Sequence, residues 1–351
     1  MLAGTPFIRR VARAGEGIHG LNFREARDQD QTPMATESAV SRADIEAVRA
    51  RIGAHVRRTP LLETASPLSG APPVSLKLEL LQHSGSFKAR GAFNNLLLRQ
   101  APSVGCATAS GGNHGAAVAY AARQLGVPAR IFVPSIAAPA KIAKIRAYGA
   151  DVRVEGQDYF DAQALCDAYV AATGALKIHP YDALETIAGQ GTVGLEWEQD
   201  LACLGLAALD TVLVAVGGGG LISGVASWFD GRVKLVGVEP EGSRAMDAAL
   251  RAGGPVEVPI QSIAADSLGA RQIGALAYAI CKSRVEGVAL VRDAEIVEAQ
   301  RQLWREYSLI AEPGGAAAFA ALFSGAYVPG AGERVGVLIC GSNANLGVFA
   351  A

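Results

Sequence analysis

The segment Ser84-Gly85-Ser86-Phe87-Lys88-Ala89-Arg90-Gly91-Ala92 gives one lysine an unusual setting. Most lysines are solvated surface charges, and an isolated lysine is interpreted that way first. Here small residues and an aromatic ring precede Lys88, and an apolar stretch rich in alanine and glycine follows it to Leu98. This context indicates a lysine at the start of a helix, against the wall of a pocket. Removal from water would lower the pKa of its amine and make the amine a nucleophile.

The composition is that of a large globular protein. The chain has 351 residues, of which 50% are hydrophobic and 19% charged, enough for one large domain or two packed lobes. The formal net charge of −1 gives no electrostatic case for nucleic acid or an anionic membrane. No apolar run approaches the ~20 residues that span a bilayer. Five scattered cysteines, never spaced as C-x-x-C, disfavour disulfides and zinc and favour the cytoplasm.

The amino-terminal residues 1–36 differ from the rest of the chain. They mix arginine with glycine, glutamine and aspartate, and they lack helical or strand periodicity. We interpret them as a disordered tail, or as an over-long start in which Met34 is the true initiator. An arginine-rich transit peptide is the alternative, but four acidic residues in the segment argue against it.

From residue 105 onward, short apolar runs alternate with helical patterns. Predicted strands include residues 106–109, 129–133, 152–154, 212–216, 235–238 and 335–339, and predicted helices include 116–125, 159–173, 190–201 and 293–309. This alternation predicts parallel sheets with helical crossovers. Unusual loops follow three of the strands, at Ser110–His114, Gly217–Gly220 and Cys340–Asn343. Because ligands bind at the carboxyl ends of strands in open parallel sheets, we expect these loops to surround one site.

Gly217–Gly220 stands between a predicted strand and a predicted helix. Four consecutive glycines let backbone N–H groups converge, and a helix start adds positive potential, so we interpret the segment as a phosphate cradle. A flexible turn is the plain alternative. Dinucleotide binding is another, with Glu239 as the acidic residue about 20 positions on. That alternative leaves the segments around Lys88 and Asn113 unexplained, and the chain has no G-x-x-x-x-G-K-[ST] motif.

The Ser110–His114 loop carries one amide and one histidine. Asn113 offers a donor and an acceptor to a planar ligand, or else caps a helix. His114 is expected to be packed or solvated, because no second histidine stands at metal-binding spacing. A lysine, a phosphate cradle and an amide-bearing loop together suggest pyridoxal 5′-phosphate, whose aldehyde forms a Schiff base with lysine.

Four segments, in this order, resemble the serine/threonine dehydratase family: Ser86–Ala92, Ser110–His114, Gly217–Gly220 and Cys340–Asn343. Its members are fold-type II pyridoxal phosphate enzymes, which also include serine racemases. The resemblance covers residues 40–348 and includes further landmarks at Ala188–Thr192 and Glu312-Pro313. Together these motifs are highly specific for the family. On its own, only the Lys88 segment is specific.

The resemblance implies an α/β fold of the tryptophan synthase β type. It has two three-layer domains, each an open twisted parallel sheet, with the cofactor in the cleft between them. The large cofactor-binding domain would comprise residues 37–104 and 183–351, and the small domain residues 105–182. We expect a small-molecule amino acid substrate, no nucleic-acid or membrane partner, and a homodimer or homotetramer. No regulatory module follows Ala351, which suggests a catabolic or unregulated enzyme.

The resemblance also implies roles for residues. Lys88 would carry the cofactor and then take the Cα proton of the substrate. Phe87 would lie against the pyridine ring, and Asn113 would bond the ring hydroxyl. The implied cofactor-binding residues are Phe87, Lys88, Asn113, Gly217, Gly218, Gly219, Gly220, Glu312 and Cys340. The implied substrate-binding residues are Ser110, Gly111, Gly112, Asn113 and His114, whose loop would hold the substrate carboxylate.

Cys340 stands where the family places the partner of the pyridine nitrogen. A neutral thiol, unlike an aspartate, does not keep that nitrogen protonated, so prompt loss of a β-substituent is favoured over transamination. The resemblance therefore implies β-elimination, in which L-threonine or L-serine gives a 2-oxo acid and ammonia. The leaving hydroxide would take a proton from the cofactor phosphate, with Glu312 as a nearby alternative.

Two positions depart from relatives. Gly111 occupies the place where serine racemases carry a hydroxyl, so no second acid–base group is supplied and we predict no efficient racemisation. Glu239 matches a carboxylate through which some relatives bind a divalent cation, but the second ligand position is Ala245. Glu239 is therefore only a weak metal candidate, equally well explained as a surface acid, and no metal is predicted.

The substrate stays open. A bulkier 3-hydroxy amino acid is an alternative, such as phenylserine, hydroxyaspartate or an ectoine-derived compound, and so is a racemase or a β-replacement synthase. Such synthases usually carry Asp-Arg after the lysine, where this chain has Ala89-Arg90. A nucleotide-binding oxidoreductase is a third class. Asp158, Tyr159 and Arg271 are candidates for the wall that contacts the β-substituent.

Overall fold

The computed structural model describes residues 40–64 and 73–349. These belong to one compact unit, residues 37–351, and the predicted tail lies outside the described residues. The strands are β1 (Leu61–Thr64), β2 (Val74–Lys77), β3 (Cys106–Ala109), β4 (Ala129–Val133), β5 (Asp151–Val154), β6 (Leu176–Lys177), β7 (Thr211–Ala215), β8 (Lys234–Pro240), β9 (Gly287–Val291) and β10 (Val335–Leu338).

Helices flank these strands. They are α1 (Arg42–Ile52), α2 (Lys88–Leu98), α3 (Asn113–Leu125), α4 (Pro139–Ala147), α5 (Tyr159–Thr173), α6 (Leu184–Cys203), α7 (Gly220–Phe229), α8 (Ala245–Ala252), α9 (Ala265–Leu268), α10 (Ala275–Arg284), α11 (Asp293–Tyr307) and α12 (Pro313–Ser324). Short 3-10 helices cover Glu79–Leu81, His83–Gly85 and Leu346–Phe349. Within the described ranges, none of the helices is both long and apolar enough to cross a membrane.

The strands form two sheets. The larger has the order β1-β2-β10-β7-β8-β9 and the smaller the order β5-β4-β3-β6. The prediction of an α/β fold with parallel sheets is confirmed with one correction, because β1 pairs antiparallel with β2. Antiparallel partners need only a short connection, whereas parallel ones need a crossover. The strands of the smaller sheet all lie within residues 105–182, and the proposed division into domains at those residues stays a prediction.

Helix α6 corrects a second expectation. It begins at Leu184 rather than at residue 190, because its glycines permit close packing instead of ending the helix. A Cβ on Gly189 would lie 2.6 Å from the Cα of Gly91, and one on Gly191 would lie 2.9 Å from the carbonyl oxygen of Gly224. Glycine lets the backbones of α2 and α7 touch α6. This contact fixes α2, whose first residue is Lys88.

Capping residues predicted the starts of some helices correctly, whereas the apolar repeat did not indicate several other elements. Ser41 caps α1 through the predicted capping box with Asp44, and α5 has the predicted bounds with Asp158 as its N-cap. Sequence patterns did not predict α8, α9, α10 or β9. These elements are short, so the apolar repeat on which such predictions rest has little length in which to show.

A buried ion cluster joins β2, α2 and α6. Lys77 Nζ lies 2.8 Å from Glu196 Oε1, and the Arg90 guanidinium lies 2.6 Å from Glu79 Oε1 and 3.0 Å from Glu196 Oε1. The four side chains have no solvent exposure. Burial raises the pKa of Glu196, but Arg90 and Lys77 lower it to about 2. The cluster therefore anchors Arg90, and with it the first turn of α2.

Candidate active site

Lys88 and the predicted cofactor-binding residues line one cavity. Its empty volume is about 450 Å³. We call it the inner cavity. Its walls come from the starts of α2, α3 and α7, the loop after β7, the residue before α12 and the loop after β10, and they include Phe87, Lys88, Asn113, Gly217, Gly218, Gly219, Gly220, Glu312 and Cys340. Tyr181, Ser267 and Leu268 also line it, and sequence reasoning missed them because no motif marks them.

The amine of Lys88 is removed from water. Its Nζ donates to the carbonyl oxygen of Pro180 at 2.7 Å. Burial lowers the pKa of Lys88 to about 8, although Cys340 and Glu312 act to raise it. A substantial fraction of the amine is therefore neutral near physiological pH, as a nucleophile or a base at carbon requires.

The loop at Gly217–Gly220 leaves no room for side chains. A Cβ on Gly218 would lie 2.3 Å from the Tyr181 ring, and Gly219 has a φ of +90° that favours glycine. In the described chain, the first backbone amide after Val216 that donates a hydrogen bond is that of Ser223, to Gly219. The intervening amides are free for an anion at the start of α7. The cradle fits a phosphate.

Cys340 is a buried, neutral thiol. Its Sγ donates to the carbonyl oxygen of Gly314 at 3.4 Å. Burial, with help from Glu312, raises the pKa of this thiol well above its usual range. It therefore stays protonated and carries no negative charge into the inner cavity.

The amide of Asn113 has a fixed orientation. Asn343 Nδ2 donates to Asn113 Oδ1 at 2.6 Å, and Asn113 Nδ2 donates to the carboxylate of Glu312. Burial raises the pKa of Glu312, although Lys141 and the Asn113 amide act to lower it. Asn113 therefore presents its donor side toward the inner cavity.

A second cavity shares the wall residue Asn113 with the first. We call it the outer cavity; its empty volume is about 470 Å³, and it is lined by Gly112, Asn113, Ala116, Ala140, Lys141, Lys144, Asn343 and Ala344. Lys144 Nζ donates to the carbonyl oxygen of Ser84 at 3.0 Å and to Asn343 Oδ1. Sequence reasoning missed Lys144, which lies far from the motifs in the chain.

The predicted substrate loop divides between cavity and core. Gly112 and Asn113 line the outer cavity, whereas Ser110, Gly111 and His114 are not among the lining residues of either cavity. The Ser110 hydroxyl accepts from the Gly112 amide at 3.2 Å. His114 Nε2 donates to the carbonyl oxygen of Ile178 at 3.1 Å, and burial lowers its pKa to about 3, so it is a packed neutral histidine.

The remaining candidates have structural partners. Both carboxylate oxygens of Glu239 accept backbone amides at the start of α8, from Met246 at 2.8 Å and Asp247 at 2.9 Å. Within residues 40–64 and 73–349, no group of three or more His, Cys, Asp or Glu residues is arranged to hold a metal. Asp158 caps α5, Tyr159 donates to Gln163, and the Arg271 guanidinium lies 4.9 Å from the centre of the Phe160 ring.

Comparison with known proteins agrees with this geometry. A family model described as "Pyridoxal-phosphate dependent enzyme" matches residues 52–341. The chain belongs to this family. Its cofactor is therefore pyridoxal phosphate, and the lysine, the glycine cradle and the neutral thiol of the inner cavity fit that group. The sequence-based recognition of the family, the fold type and the cofactor is confirmed.

Named relatives cover nearly the whole chain. The chain is 39% identical over 330 residues to phenylserine dehydratase from Ralstonia pickettii, covering 91% of this chain and 98% of the relative. It is 35% identical over 313 residues to L-threonine ammonia-lyase from Thermotoga maritima, covering 87% and 76%. Solved structures agree in fold. Maize serine racemase has a TM-score of 0.82 at 31% identity, covering 89% and 96%, and the threonine deaminase of T.th. has 0.80 at 35%, covering 87% and 99%.

Proposed function

We propose that the protein is a pyridoxal phosphate-dependent ammonia-lyase that dehydrates a β-hydroxy amino acid to a 2-oxo acid and ammonia. The observation that carries the proposal is the pairing of a desolvated amine, Lys88, with a neutral thiol, Cys340, in one cavity. The names of the relatives, phenylserine dehydratase and L-threonine ammonia-lyase, support the same reaction class.

The residues of the inner cavity would hold the cofactor in defined ways. When bound, pyridoxal phosphate supplies an electron sink that makes the Cα proton of an amino acid acidic. Lys88 would bind its aldehyde, and Phe87 would lie against its ring. The free amides of residues 217–222 would hold its phosphate, and the thiol of Cys340 would face the ring nitrogen without protonating it.

Two side chains would transfer protons during the dehydration. Lys88 Nζ takes the proton from Cα, and the bond between Cβ and the hydroxyl oxygen then breaks. Glu312, whose pKa burial raises, is the carboxyl group in the inner-cavity wall that can hold a proton for the leaving hydroxyl. The β-hydroxyl takes this proton and leaves as water, and one water is consumed when the released imine is hydrolysed, so threonine yields 2-oxobutanoate and ammonia in balance.

Racemisation is the weaker candidate for this site. It requires an acid–base group on the face of Cα opposite Lys88. Gly111 supplies none, and a Cβ at this position would lie 2.7 Å from the Cβ of Ala137. The space that a hydroxyl would need is already filled by the loop after β4.

Release of ammonia together with a 2-oxo acid tests the proposal. We expect the holoenzyme to form both products in equal amounts from at least one of L-serine, L-threonine and L-threo-phenylserine. Lys88→Ala should abolish this, whereas Lys282→Ala, which changes an exposed lysine of α10, should not. A cofactor-loaded protein that releases no ammonia from any hydroxy amino acid would refute the proposal.

Location and assembly complete the proposal. We propose a cytoplasmic enzyme, supported by five cysteines that are all free thiols. The expected homodimer or homotetramer stays a prediction that analytical ultracentrifugation can test.

A further inference from the structure

The outer cavity borders the inner cavity. Asn113 belongs to the walls of both, so the two cavities lie next to each other at this residue. The empty volume of the outer cavity is about 470 Å³. The cofactor would occupy the inner cavity, which leaves the outer one for a part of the substrate.

Small apolar residues make this space. Ala116 belongs to α3, Ala140 to α4, and Ala344 to the loop after β10. Three separate elements thus each present a methyl group where a larger side chain would fill the cavity. A hydrogen or a single methyl group on the substrate, as in serine or threonine, would leave most of the space unfilled. An aryl group would displace water from this space and bury more apolar area against the alanines.

The two lysines at the edge differ in their partners. Lys141 Nζ pairs with Asp266 Oδ2 at 2.8 Å, whereas Lys144 Nζ donates to the neutral oxygens of Ser84 and Asn343 and keeps its charge. The methylene stems of both lysines add to the apolar wall, and an ammonium group beside the face of an aryl ring is favourable.

We infer that the outer cavity receives the β-substituent of the substrate and selects 3-aryl-3-hydroxy amino acids over serine and threonine. This inference rests on the proposed function, since it names the substrate class of the same site. The aryl ring lies among the three alanines, and Ala140 and Ala344 are specificity-determining positions. Filling the cavity removes the aryl preference and leaves the chemistry at Lys88 unchanged.

Steady-state kinetics of the holoenzyme with four substrates tests this inference. We expect kcat/KM for L-threo-phenylserine to exceed that for L-serine, for L-threonine and for L-threo-3-hydroxyaspartate by about 10-fold or more. Ala140→Leu and Ala344→Leu should lower kcat/KM for phenylserine by about 10-fold and change it for threonine by less than about 3-fold. Ala143→Leu is the matched control, because Ala143 is exposed on α4 and is not a wall residue of the cavity.

A binding measurement separates recognition from turnover. L-Phenylalanine carries the aryl group without a leaving hydroxyl, so we expect it to inhibit more strongly than L-2-aminobutyrate, and Ala140→Leu to remove the difference. A wild-type preference for threonine, serine or hydroxyaspartate overturns the inference alone. So does an equal loss for both substrates in the leucine variants. No ammonia from any of the substrates overturns the proposed function as well, and this pattern distinguishes the two failures.

Discussion

Lys88 Nζ donates to the carbonyl oxygen of Pro180 at 2.7 Å, which ties the first residue of α2 to the segment before α6. A carbonyl oxygen is a neutral acceptor, so it orients the ammonium without cancelling its charge. The charged form is therefore disfavoured by burial, and the pKa of Lys88 falls from 10.5 to about 8. The reactive amine is held in place and is partly neutral before any substrate arrives.

This pKa predicts how capture of the cofactor depends on pH. Only the neutral amine attacks an aldehyde, and its fraction grows as pH rises through the pKa. In cofactor-free protein, we expect the rate of covalent pyridoxal phosphate capture to rise between pH 7 and pH 9, with a midpoint near 8. Stopped-flow absorbance would measure it, with Lys88→Ala as the background. A midpoint near 10.5, the value of an ordinary lysine, would contradict the assignment.

The phosphate cradle at Gly217–Gly220 can be tested by adding a side chain to it. A Cβ on Gly218 would lie 2.3 Å from the Tyr181 ring, so Gly218→Ala must displace the ring or the loop. We expect the Kd for pyridoxal phosphate to rise about 10-fold or more, which corresponds to about 1.4 kcal/mol. Equilibrium titration would measure it. Gly287→Ala is the control, since a Cβ there has nothing within 4 Å.

A double variant sharpens that test. In a Tyr181→Ala background the ring is gone, so adding Gly218→Ala should cost less than it does beside the native tyrosine. An equal cost in both backgrounds would show that Tyr181 is not the obstacle.

Tyr181 is a residue of the site that the sequence alone could not identify. Lys88, the glycine cradle and Cys340 could be found because each sits in a short motif where a strand ends or a helix begins. Tyr181 and Lys144 carry no motif. They reach the cavities through packing between segments distant in the chain, and periodicity does not record such packing. The start of α6 was predicted at the wrong residue for a related reason. Glycine occurs both where helices end and where two helices pack closely, and the sequence alone does not distinguish the two.

Loss of the Arg90 side chain is expected to lower the stability of the protein strongly. Arg90→Leu leaves Glu79 and Glu196 as buried carboxylates without their shared partner. We expect the free energy of unfolding to fall by about 3–5 kcal/mol, measured by urea denaturation. Arg99→Leu at the end of α2 is the control, because Arg99 is 45% exposed in its ion pair with Glu185 and should cost about 1 kcal/mol or less. Similar losses for the two variants would mean that the cluster does not anchor α2.

Substitution of Gly111 tests whether this position decides between elimination and racemisation. In the proposed site, Gly111→Ser would add a hydroxyl on the face of Cα opposite Lys88, but its Cβ would lie 2.7 Å from Ala137 Cβ and 3.0 Å from Val133 Cγ1. The loop must shift to admit it, which misplaces the hydroxyl. We therefore expect little D-serine from L-serine in Gly111→Ser, and more in Gly111→Ser/Ala137→Gly, where the contact is relieved. Chiral chromatography would measure both, with Gly111→Ala to separate the effect of the Cβ from that of the hydroxyl. Fast racemisation by the single variant would show that the loop after β4 yields readily, and that the missing hydroxyl alone keeps this site from racemising its substrate.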